Sequence, residues 1–477
     1  MLFGIHIATF VKKNKPMTKT LKISFFCCLS FMLTKTTLAQ RPEPSAELKN
    51  WYNQHELGIQ TQKAYKKLKR KKSKTIIVAV IDSGVDIEHE DLQGQIWVNK
   101  NEIPGNGKDD DKNGYIDDVH GWNFLGNASG ENINETRLEK ARIFKRLRDK
   151  YEEVDPKLLQ DDSEYKLYQK VKDEIAADKK QFEQYMPMLD KLPEEYQVYI
   201  KTQMEFNLNP DFDDRSLIGD DPENIEDAFY GNGDVEGPDA LHGTHVAGII
   251  GAIRGNEFGG DGVAENVKIM SVRAVPNGDE HDKDVALAIR YAVDNGAKII
   301  NMSFGKGYSP NQKWVHDAIK YADERDVLLV HAAGNDAQNV DETPNFPTSM
   351  YSFQKAPFKS FLTIGASTPE KEKLNASFSN YGKTKVDVFA PGEKIYNTVP
   401  DNKYKWLQGT SMAAPVVSGA AAFLASYFPK LSMEDIKNIL METATKHDGS
   451  FADLSVTGGV INLKCAIKKA KKLSRKK

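Results

Sequence analysis

Short apolar runs recur along the chain and are separated by longer segments whose apolar positions have helical spacing. Between two of the runs, Val285, Ile289, Ala292 and Val293 recur at i, i+4, i+7 and i+8, and Gly296 ends the pattern. This alternation predicts an α/β fold with a mostly parallel central sheet joined by crossover helices. The predicted strands are residues 75–81, 267–275, 298–304, 327–333, 361–366 and 386–389.

One long stretch breaks the alternation. Residues 131–235 are densely charged, with a helical pattern from about residue 136 to 206. We interpret them as an insertion that divides one large domain into residues 76–130 and 236–466. Residues 205–239 hold twelve acidic side chains and one basic side chain, Arg215, which favours a solvated acidic loop over a dedicated binding surface. Residues 467–477 are most simply a solvated basic tail.

The N-terminal 39 residues have the composition of an export signal. They contain six lysines and no acidic residue, and residues 23–33 form an apolar run that is followed by the small-residue ending Thr37-Leu38-Ala39. The run is too short to span a bilayer, so we predict a cleaved signal peptide over residues 1–39 and no stable membrane span. The protein is then exported, to a periplasmic or extracellular location, and residues 40–75 form an N-terminal segment that packs on the main domain.

The composition of the 477-residue chain excludes several functional classes. It has 65 basic and 68 acidic residues, and without the first 39 residues 59 basic side chains stand against 68 acidic ones, which argues against a nucleic-acid partner. Of the three cysteines, only Cys465 lies beyond the predicted signal, so the exported chain cannot form an intrachain disulfide. Its stability must come from the core or from a bound metal.

Three glycine-flanked motifs place reactive side chains at sheet-to-helix junctions. The apolar strand in VAVIDSGVD ends at Asp82, HGTHVAG begins with His242, and GTSMAAP carries Ser411 ahead of an apolar helical stretch. Taken singly, Asp82 could be a turn former and Ser411 a helix N-cap. The motif HGTHVAG contains a second histidine, His245, but the two histidines lack the ligand set of a zinc site, so we interpret His245 as a packed core histidine. In the chain order Asp, His, Ser, however, the three match one known type of catalytic triad and disfavour two others.

With these motifs the chain resembles the subtilisin-like (subtilase) serine peptidases over roughly residues 76–130 and 238–466. The resemblance implies a subtilisin-like three-layer fold and a serine endopeptidase that cuts protein or peptide substrates through an acyl-enzyme intermediate. It also implies that Asp82 orients the imidazole, that His242 is general base and then general acid, and that Ser411 attacks the scissile carbonyl. We expect such an enzyme to be a monomer.

Two further segments resemble binding elements of that family. HAAGND resembles the oxyanion-hole block, which makes the Asn335 side-chain amide and the Ser411 backbone N–H the donors. NMSFG resembles the segment that pairs with the substrate backbone as an added strand. The residues implied to line the pocket are Ser303, Phe304, Gly305, Ala333 and Gly334. Asp279 and Glu280 fall where a neighbouring subsite loop of the family lies, which suggests tolerance of basic substrate side chains.

The acidic sequence DDDKNGYIDD at residues 109–118 indicates a cation site. Its alternating oxygens match the first half of a calcium loop, DxDxNG, and subtilases often bind calcium. Position twelve is His120 rather than Glu, so the loop is not an EF-hand, and the alternative is a polar turn with repelling carboxylates. We predict a structural calcium ion, and its predicted ligands are Asp109, Asp111, Asn113, the Tyr115 carbonyl, and Asp117 or Asp118.

Two features depart from the common family pattern. The separation of 160 residues between Asp82 and His242 is far longer than usual, which the insertion explains. Residues 40–75 leave no room for the usual inhibitory propeptide, so we expect folding without cleavage at a prodomain junction. A catalytically silent binding module of the same fold and a calcium-dependent adhesin built on the acidic insertion remain as alternatives.

Overall fold

A nine-stranded sheet forms the centre of the computed structural model, which describes residues 46–155, 159 and 161–477. The predicted signal peptide therefore lies outside the described residues. In chain order the strands are β1 (Ile76–Asp82), β2 (Gly121–Asn123), β3 (Val267–Arg273), β4 (Ile299–Met302), β5 (Leu328–Ala332), β6 (Phe361–Ser367), β7 (Val388–Pro391), β8 (Ile395–Val399), β9 (Lys403–Leu407), β10 (Thr445–Lys446) and β11 (Gly459–Val460).

The sheet is mostly parallel, as the alternating pattern predicts. Its spatial order is β10-β11-β7-β6-β5-β4-β1-β3-β2, and among these pairs only β10 and β11 are antiparallel. Strands β8 and β9 form a separate antiparallel hairpin. All six predicted strands are present, each within two residues of its predicted ends. The remaining strands are very short, half exposed like β9, or interrupted by polar residues like β8. They therefore lack a continuous apolar run and escape prediction.

Helices cover both faces of the sheet and complete three layers. Along β1, Val78 and Val80 face one apolar core, while Ala79 and Ile81 face the other. The first face carries α3 (Thr61–Leu68), α7 (Leu241–Gly251), α10 (Thr410–Tyr427), α11 (Met433–Glu442) and α12 (Leu463–Ser474). The opposite face carries α8 (Asp282–Asp294) and α9 (Gln312–Asp323).

The described part of the N-terminal segment packs against the first face. It contains α1 (Ala46–Lys49) and α2 (Trp51–Gln54) ahead of α3. Trp51 and Tyr52 are buried, and their side chains donate hydrogen bonds to the carbonyls of Lys394 (2.8 Å) and Asp261 (2.6 Å). The segment is thus joined to the sheet by apolar contacts and by directed hydrogen bonds.

The charged stretch after residue 131 contains α4 (Glu139–Tyr151), α5 (Ser163–Glu183) and α6 (Glu194–Thr202). Helices α4 and α5 share a small aromatic and aliphatic core, and Tyr308, which follows β4, packs against it. The Tyr308 hydroxyl also donates to Glu174 on α5 at 3.0 Å. The insertion therefore rests directly on the loop that follows β4.

Buried ion pairs fasten the insertion to the start of α8. Lys306 Nζ contacts Glu139 of α4 at 2.8 Å and Asp282 of α8 at 2.9 Å. Burial alone would raise the pKa of Glu139, but the positive charges of Arg142 and Lys306 lower this pKa to about 2. A charged group this deeply buried is stable only with such partners.

A second buried group involves the acidic residues 205–239. The guanidinium of Arg215 binds Asp220 at 2.6 Å and Asp284 of α8 at 2.7 Å, and Lys283 binds Asp220 at 2.7 Å. The side chains of Asp220 and Asp284 are fully buried. This part of the acidic stretch is a structural contact with α8, and not only a solvated loop.

Replacing Arg215 with Met should destabilise the fold by about 3–5 kcal/mol, because Asp284 would remain buried with its cationic partner removed. The matched control is Arg148→Met, which breaks the exposed pair with Asp211 and should have a much smaller effect. Urea unfolding of the two variants measures the difference. Equal losses would contradict a structural role for the Arg215 group.

Candidate active site

Asp82 is the last residue of β1 and lies at the carboxyl edge of the sheet. Its Oδ1 accepts a hydrogen bond from the Ser83 backbone N–H at 2.8 Å, and the residue is fully buried. The chain then turns at Gly84, whose φ is +127°, and a Cβ there would lie 1.9 Å from the Glu236 carbonyl oxygen. Only glycine fits this turn, which holds the carboxylate at the end of the strand.

His242 is the second residue of α7 and contacts Asp82 directly. Its Nδ1 lies 2.7 Å from Asp82 Oδ1. Because a carboxylate accepts, Nδ1 carries the proton and Nε2 is the acceptor of the neutral ring. A Cβ on Gly243 would lie 2.0 Å from the Gly84 carbonyl oxygen, so the start of α7 abuts the turn after β1. This close approach brings the imidazole to the carboxylate.

His245, one turn further along α7, lies in the core. Its Nε2–H donates to the Lys405 carbonyl at 3.2 Å, and burial lowers the pKa of the ring to about 3. A ring that stays neutral and bonds to a backbone carbonyl acts as a packing residue, as the sequence interpretation of His245 predicts.

Ser411 lies in the first turn of α10, just after Gly409, whose φ is +149°. The Ser411 Oγ donates to the Ser303 carbonyl at 3.1 Å, and Ser303 Oγ donates to the Ser411 carbonyl at 2.8 Å. Ser303 follows β4, and β4 pairs with β1 so that Ile81 lies beside Met302. Asp82 and Ser303 therefore end neighbouring strands about 4.8 Å apart, and Ser411 is held at the same edge as the Asp82–His242 pair.

Asn335 is oriented by the residue before Ser411. Its Oδ1 accepts from the Thr410 backbone N–H at 2.8 Å and from the Thr410 hydroxyl at 3.0 Å. Because a backbone N–H can only donate, the oxygen of the amide faces Thr410 and Nδ2 is the remaining donor. Asn335 Nδ2 and the Ser411 backbone nitrogen lie 3.5 Å and 3.6 Å from the position that a Cβ on Gly409 would take. Two N–H donors thus converge beside Gly409.

The predicted pocket residues form two segments after neighbouring parallel strands. Ser303, Phe304 and Gly305 follow β4, and Ala333 and Gly334 follow β5.

Asn345, which the sequence analysis did not single out, joins the two segments. Its Nδ2 donates to the Ala333 carbonyl at 3.0 Å, and a Cβ on Gly305 would lie 2.7 Å from its Oδ1. A cavity of about 200 Å³ adjoins them, lined in part by His331, Asn345, Phe346 and Tyr351. Asn345 lies in a loop 12 residues after Ala333, and no local pattern marks it.

Asp279 and Glu280 face the insertion and not an open subsite. Asp279 Oδ2 accepts the Glu139 backbone N–H at 2.7 Å, and Glu280 is only 2% exposed. Burial raises the pKa of Glu280 to about 7. The Asp279 carboxylate and the Glu280 backbone carbonyl, which accepts from Arg142 at 3.2 Å, thus hold the insertion.

The acidic loop brings together only part of the predicted ligand set. Carboxylate oxygens of Asp109, Asp111 and Glu102 lie within 4.8 Å of one another. In the described part of the chain, none of the three forms an ion pair. Glu102 was missed because it lies outside the DxDxNG motif, and only the fold of the loop brings it close.

The side chains of Asn113, Asp117 and Asp118 form hydrogen bonds within the loop and with its surroundings. Asn113 donates to Asp118, which also accepts from Asn99 and Tyr291 and is fully buried. Burial raises the pKa of Asp118 to about 6. Asp117 accepts the backbone N–H of Gly107 at 2.8 Å, and the Tyr115 ring packs edge-on against Trp122.

Asp91 is another buried carboxylate, and it was not predicted from the sequence. Burial raises its pKa to about 6, and its Oδ2 has no hydrogen-bond partner among the described residues. Asn256 donates to Asp91 Oδ1 at 2.6 Å. The signal available in the sequence was a polar, glycine-rich segment at residues 255–262, which by itself predicts only a loop.

Fold and site together define a three-layer α/β protein in which an Asp–His pair and a helix-opening serine share the carboxyl edge of a parallel sheet. A family model described as the subtilase family matches residues 73–459. The chain belongs to the subtilase family.

Two similar proteins from Bacillus are proteases. The thermophilic serine proteinase of Bacillus sp. (strain AK1) is 39% identical over 210 residues, which are 44% of this chain and 48% of that protein. The cell wall-associated protease of Bacillus subtilis (strain 168) is 38% identical over 232 residues, 48% of this chain and 24% of that protein. The match thus spans half or less of the length of these two relatives.

A solved structure supports the fold. One of the proteases from Pseudoalteromonas arctica PAMC 21717 aligns with 88% of this chain and 97% of its own, with a TM-score of 0.52 and 20% identity. Among the residues that the structure describes, none of the helices has the length and apolar character needed to cross a bilayer.

Two of the buried histidines, His245 and His331, should make stability depend on pH. The pKa of His245 is lowered to about 3 and that of His331 to about 4, both by burial, against about 6.5 in an unfolded chain. Between pH 6.5 and 4 only the unfolded state takes up these protons, so stability should fall as the pH falls, by about 1.4 kcal/mol per pH unit for each ring. His245→Gln should reduce that slope in urea unfolding. An NMR titration of the His245 ring near pH 6.5 would contradict this expectation.

Proposed function

We propose that this protein is an exported serine endopeptidase that hydrolyses peptide bonds in protein or peptide substrates. The observation that carries the proposal is the 2.7 Å hydrogen bond between His242 Nδ1 and Asp82 at the sheet edge where Ser411 opens a buried helix. Membership in the subtilase family supports the same chemistry.

Each group of the site has a defined role in this proposal. Asp82 holds the imidazole with Nδ1 protonated, so that His242 Nε2 takes the proton from Ser411 Oγ as the oxygen attacks the scissile carbonyl. His242 then gives that proton to the leaving amine. In the second half of the reaction His242 again acts as the base and takes a proton from the water that hydrolyses the acyl-enzyme. In the free protein Ser411 Oγ is bonded to the Ser303 carbonyl, so attack requires a rotation of the hydroxyl toward His242.

The developing oxyanion is stabilised by Asn335 Nδ2 and the Ser411 backbone N–H. The N-terminus of α10 adds partial positive charge at the same place. Because Thr410 binds Asn335 Oδ1, the donor is oriented before substrate arrives and needs no reorganisation during the reaction.

Substrate is held as an added strand along Ser303, Phe304 and Gly305. Main-chain hydrogen bonds would supply affinity with little dependence on side chains, and Ala333 and Gly334 would form the facing wall. A monomer contains every group named here. The apolar run at residues 23–33 and the cell wall-associated relative support export.

Ser411→Ala should abolish casein hydrolysis, lowering the rate by roughly 10⁴- to 10⁶-fold because the nucleophile is removed. Ser426→Ala is the matched control, since this serine lies on the same helix and its hydroxyl donates to the Phe423 carbonyl. Organophosphonate labelling should occur in the control and not in Ser411→Ala. Casein hydrolysis that survives in Ser411→Ala would overturn the proposal.

We also propose that calcium binds at the acidic loop and stabilises it. Three converging carboxylates without an ion pair among the described residues suit a hard cation that prefers oxygen ligands. Asp109, Asp111 and Glu102 would hold the ion, together with Asn113 or the Tyr115 carbonyl from the motif. Asp117 and Asp118 support the loop through their hydrogen bonds.

Removing calcium with EGTA should lower the melting temperature by about 5 °C or more, because bound ion stabilises only the folded state. Asp109→Asn should remove most of that response. Asp110→Asn is the matched control, since Asp110 bonds to Ile103 and Asn106 and is outside the carboxylate trio. A melting temperature unaffected by EGTA would argue against the calcium proposal.

A further inference from the structure

Two lysine-rich segments from opposite ends of the chain lie side by side. Residues 59–75, which contain α3, and residues 461–477, which contain α12, each hold eight basic residues and no acidic one. The Leu463 N–H donates to the Ile59 carbonyl at 2.9 Å, and Lys67 Nζ donates to the Lys464 carbonyl at 3.1 Å.

Both helices bury their apolar side and expose their basic side. Ala64, Leu68, Ala466, Ile467 and Ala470 pack into the main core. All sixteen basic side chains are exposed, and we call them the basic face. They are Lys63, Lys66, Lys67, Lys69, Arg70, Lys71, Lys72, Lys74, Lys464, Lys468, Lys469, Lys471, Lys472, Arg475, Lys476 and Lys477.

The basic face contrasts sharply with the rest of the molecule. Outside it, 49 basic residues stand against all 68 acidic ones. Lys469 and Lys477 pair with acids, Glu442 and Asp435 of α11. In the part of the chain that the structure describes, the other fourteen form no ion pair. Such concentrated like charge produces a strong local positive potential.

The basic face lies far from the candidate active site. The Lys74 N–H donates to the Ser426 carbonyl at 2.9 Å, and Lys71 Nζ lies 3.7 Å from the centre of the Phe428 ring, where α10 ends. Ser411 is the second residue of the same 18-residue helix, about 24 Å from its last residue, Tyr427, at 1.5 Å per residue. An object bound at the basic face would leave the substrate cleft open.

The chemistry of the face favours an anionic lipid surface over nucleic acid. Fourteen of the sixteen side chains are lysine, which acts as a point charge and lacks the planar fork that arginine offers for base and phosphate recognition. Among the described residues of α3 and α12, the one aromatic side chain, Tyr65, packs edge-on against Phe423, so these helices offer no exposed ring for base stacking. Two adjacent helices with many lysines match an extended layer of phosphate headgroups.

We propose that the basic face docks this protein on an anionic phospholipid membrane, with the Ser411 end of α10 directed away from the lipid. The attraction is electrostatic and is shared among many lysines, so it weakens with added salt and with each lysine removed.

The test is co-sedimentation of the purified protein with lipid vesicles. The protein is used in the form that the producing cells accumulate. Vesicles of phosphatidylcholine alone are compared with vesicles that also contain about 30% phosphatidylglycerol. We expect binding only with phosphatidylglycerol, and release at high salt. Replacing Lys464, Lys468, Lys471 and Lys472 with Gln should weaken binding by more than about tenfold. The matched control replaces four exposed lysines of the insertion, Lys166, Lys180, Lys191 and Lys201, and should bind like the wild type.

Sedimentation does not depend on peptidase activity, so this test and the casein assay can fail independently. Hydrolysis of a small soluble peptide should be equal in both quadruple variants, because the replaced side chains are remote from Ser411. Absence of binding to phosphatidylglycerol vesicles, or equal loss in the two quadruple variants, would overturn the proposal. So would complete displacement from the vesicles by an equal mass of duplex DNA, which would identify nucleic acid as the preferred polyanion.

Discussion

The complete burial of α10 across one face of the sheet is the contact on which the site depends. Every residue from 410 to 426 is buried, in contact with α7 and the strands of the sheet. A helix this constrained cannot shift without opening cavities in a close-packed core. Its first turn is therefore held against the end of β4, where Ser411 and Ser303 exchange hydrogen bonds. Since the described chain has no disulfide, this core supplies most of the rigidity of the serine.

The remaining groups are held by close backbone approach. Gly84 and Gly243 let the start of α7 touch the turn after β1, which sets the Asp82–His242 distance. Thr410 then connects Ser411 to Asn335 through two hydrogen bonds to one amide oxygen. Donors and acceptors are thereby aligned in the free protein, which is the condition under which they lower a reaction barrier most effectively. These groups are far apart in the sequence, and they lie close together because each one sits at the carboxyl edge of the same sheet.

The insertion is part of this rigid frame. Its acidic and basic side chains meet those of α8 in buried ion pairs, and Lys306, one residue beyond Gly305, binds Glu139 of the insertion directly. The segment that follows β4 and the insertion are therefore fixed to each other. Asp279 and Glu280 belong to this frame, which is why they are withdrawn from the subsite that the family resemblance suggested.

The sequence by itself determined the parallel strands, the principal crossover helix and the positions of Asp82, His242 and Ser411. Local periodicity and glycine-flanked motifs predict these features, because both patterns extend over only a few neighbouring residues. Other features were decided only by the tertiary structure, because they depend on contacts between distant parts of the chain. Glu102 joins Asp109 and Asp111 from outside their motif, Asn345 connects two strands, and acids that look solvated become buried ion pairs. The basic face is the clearest case, since two unremarkable lysine-rich ends form one surface only when α3 and α12 pack together.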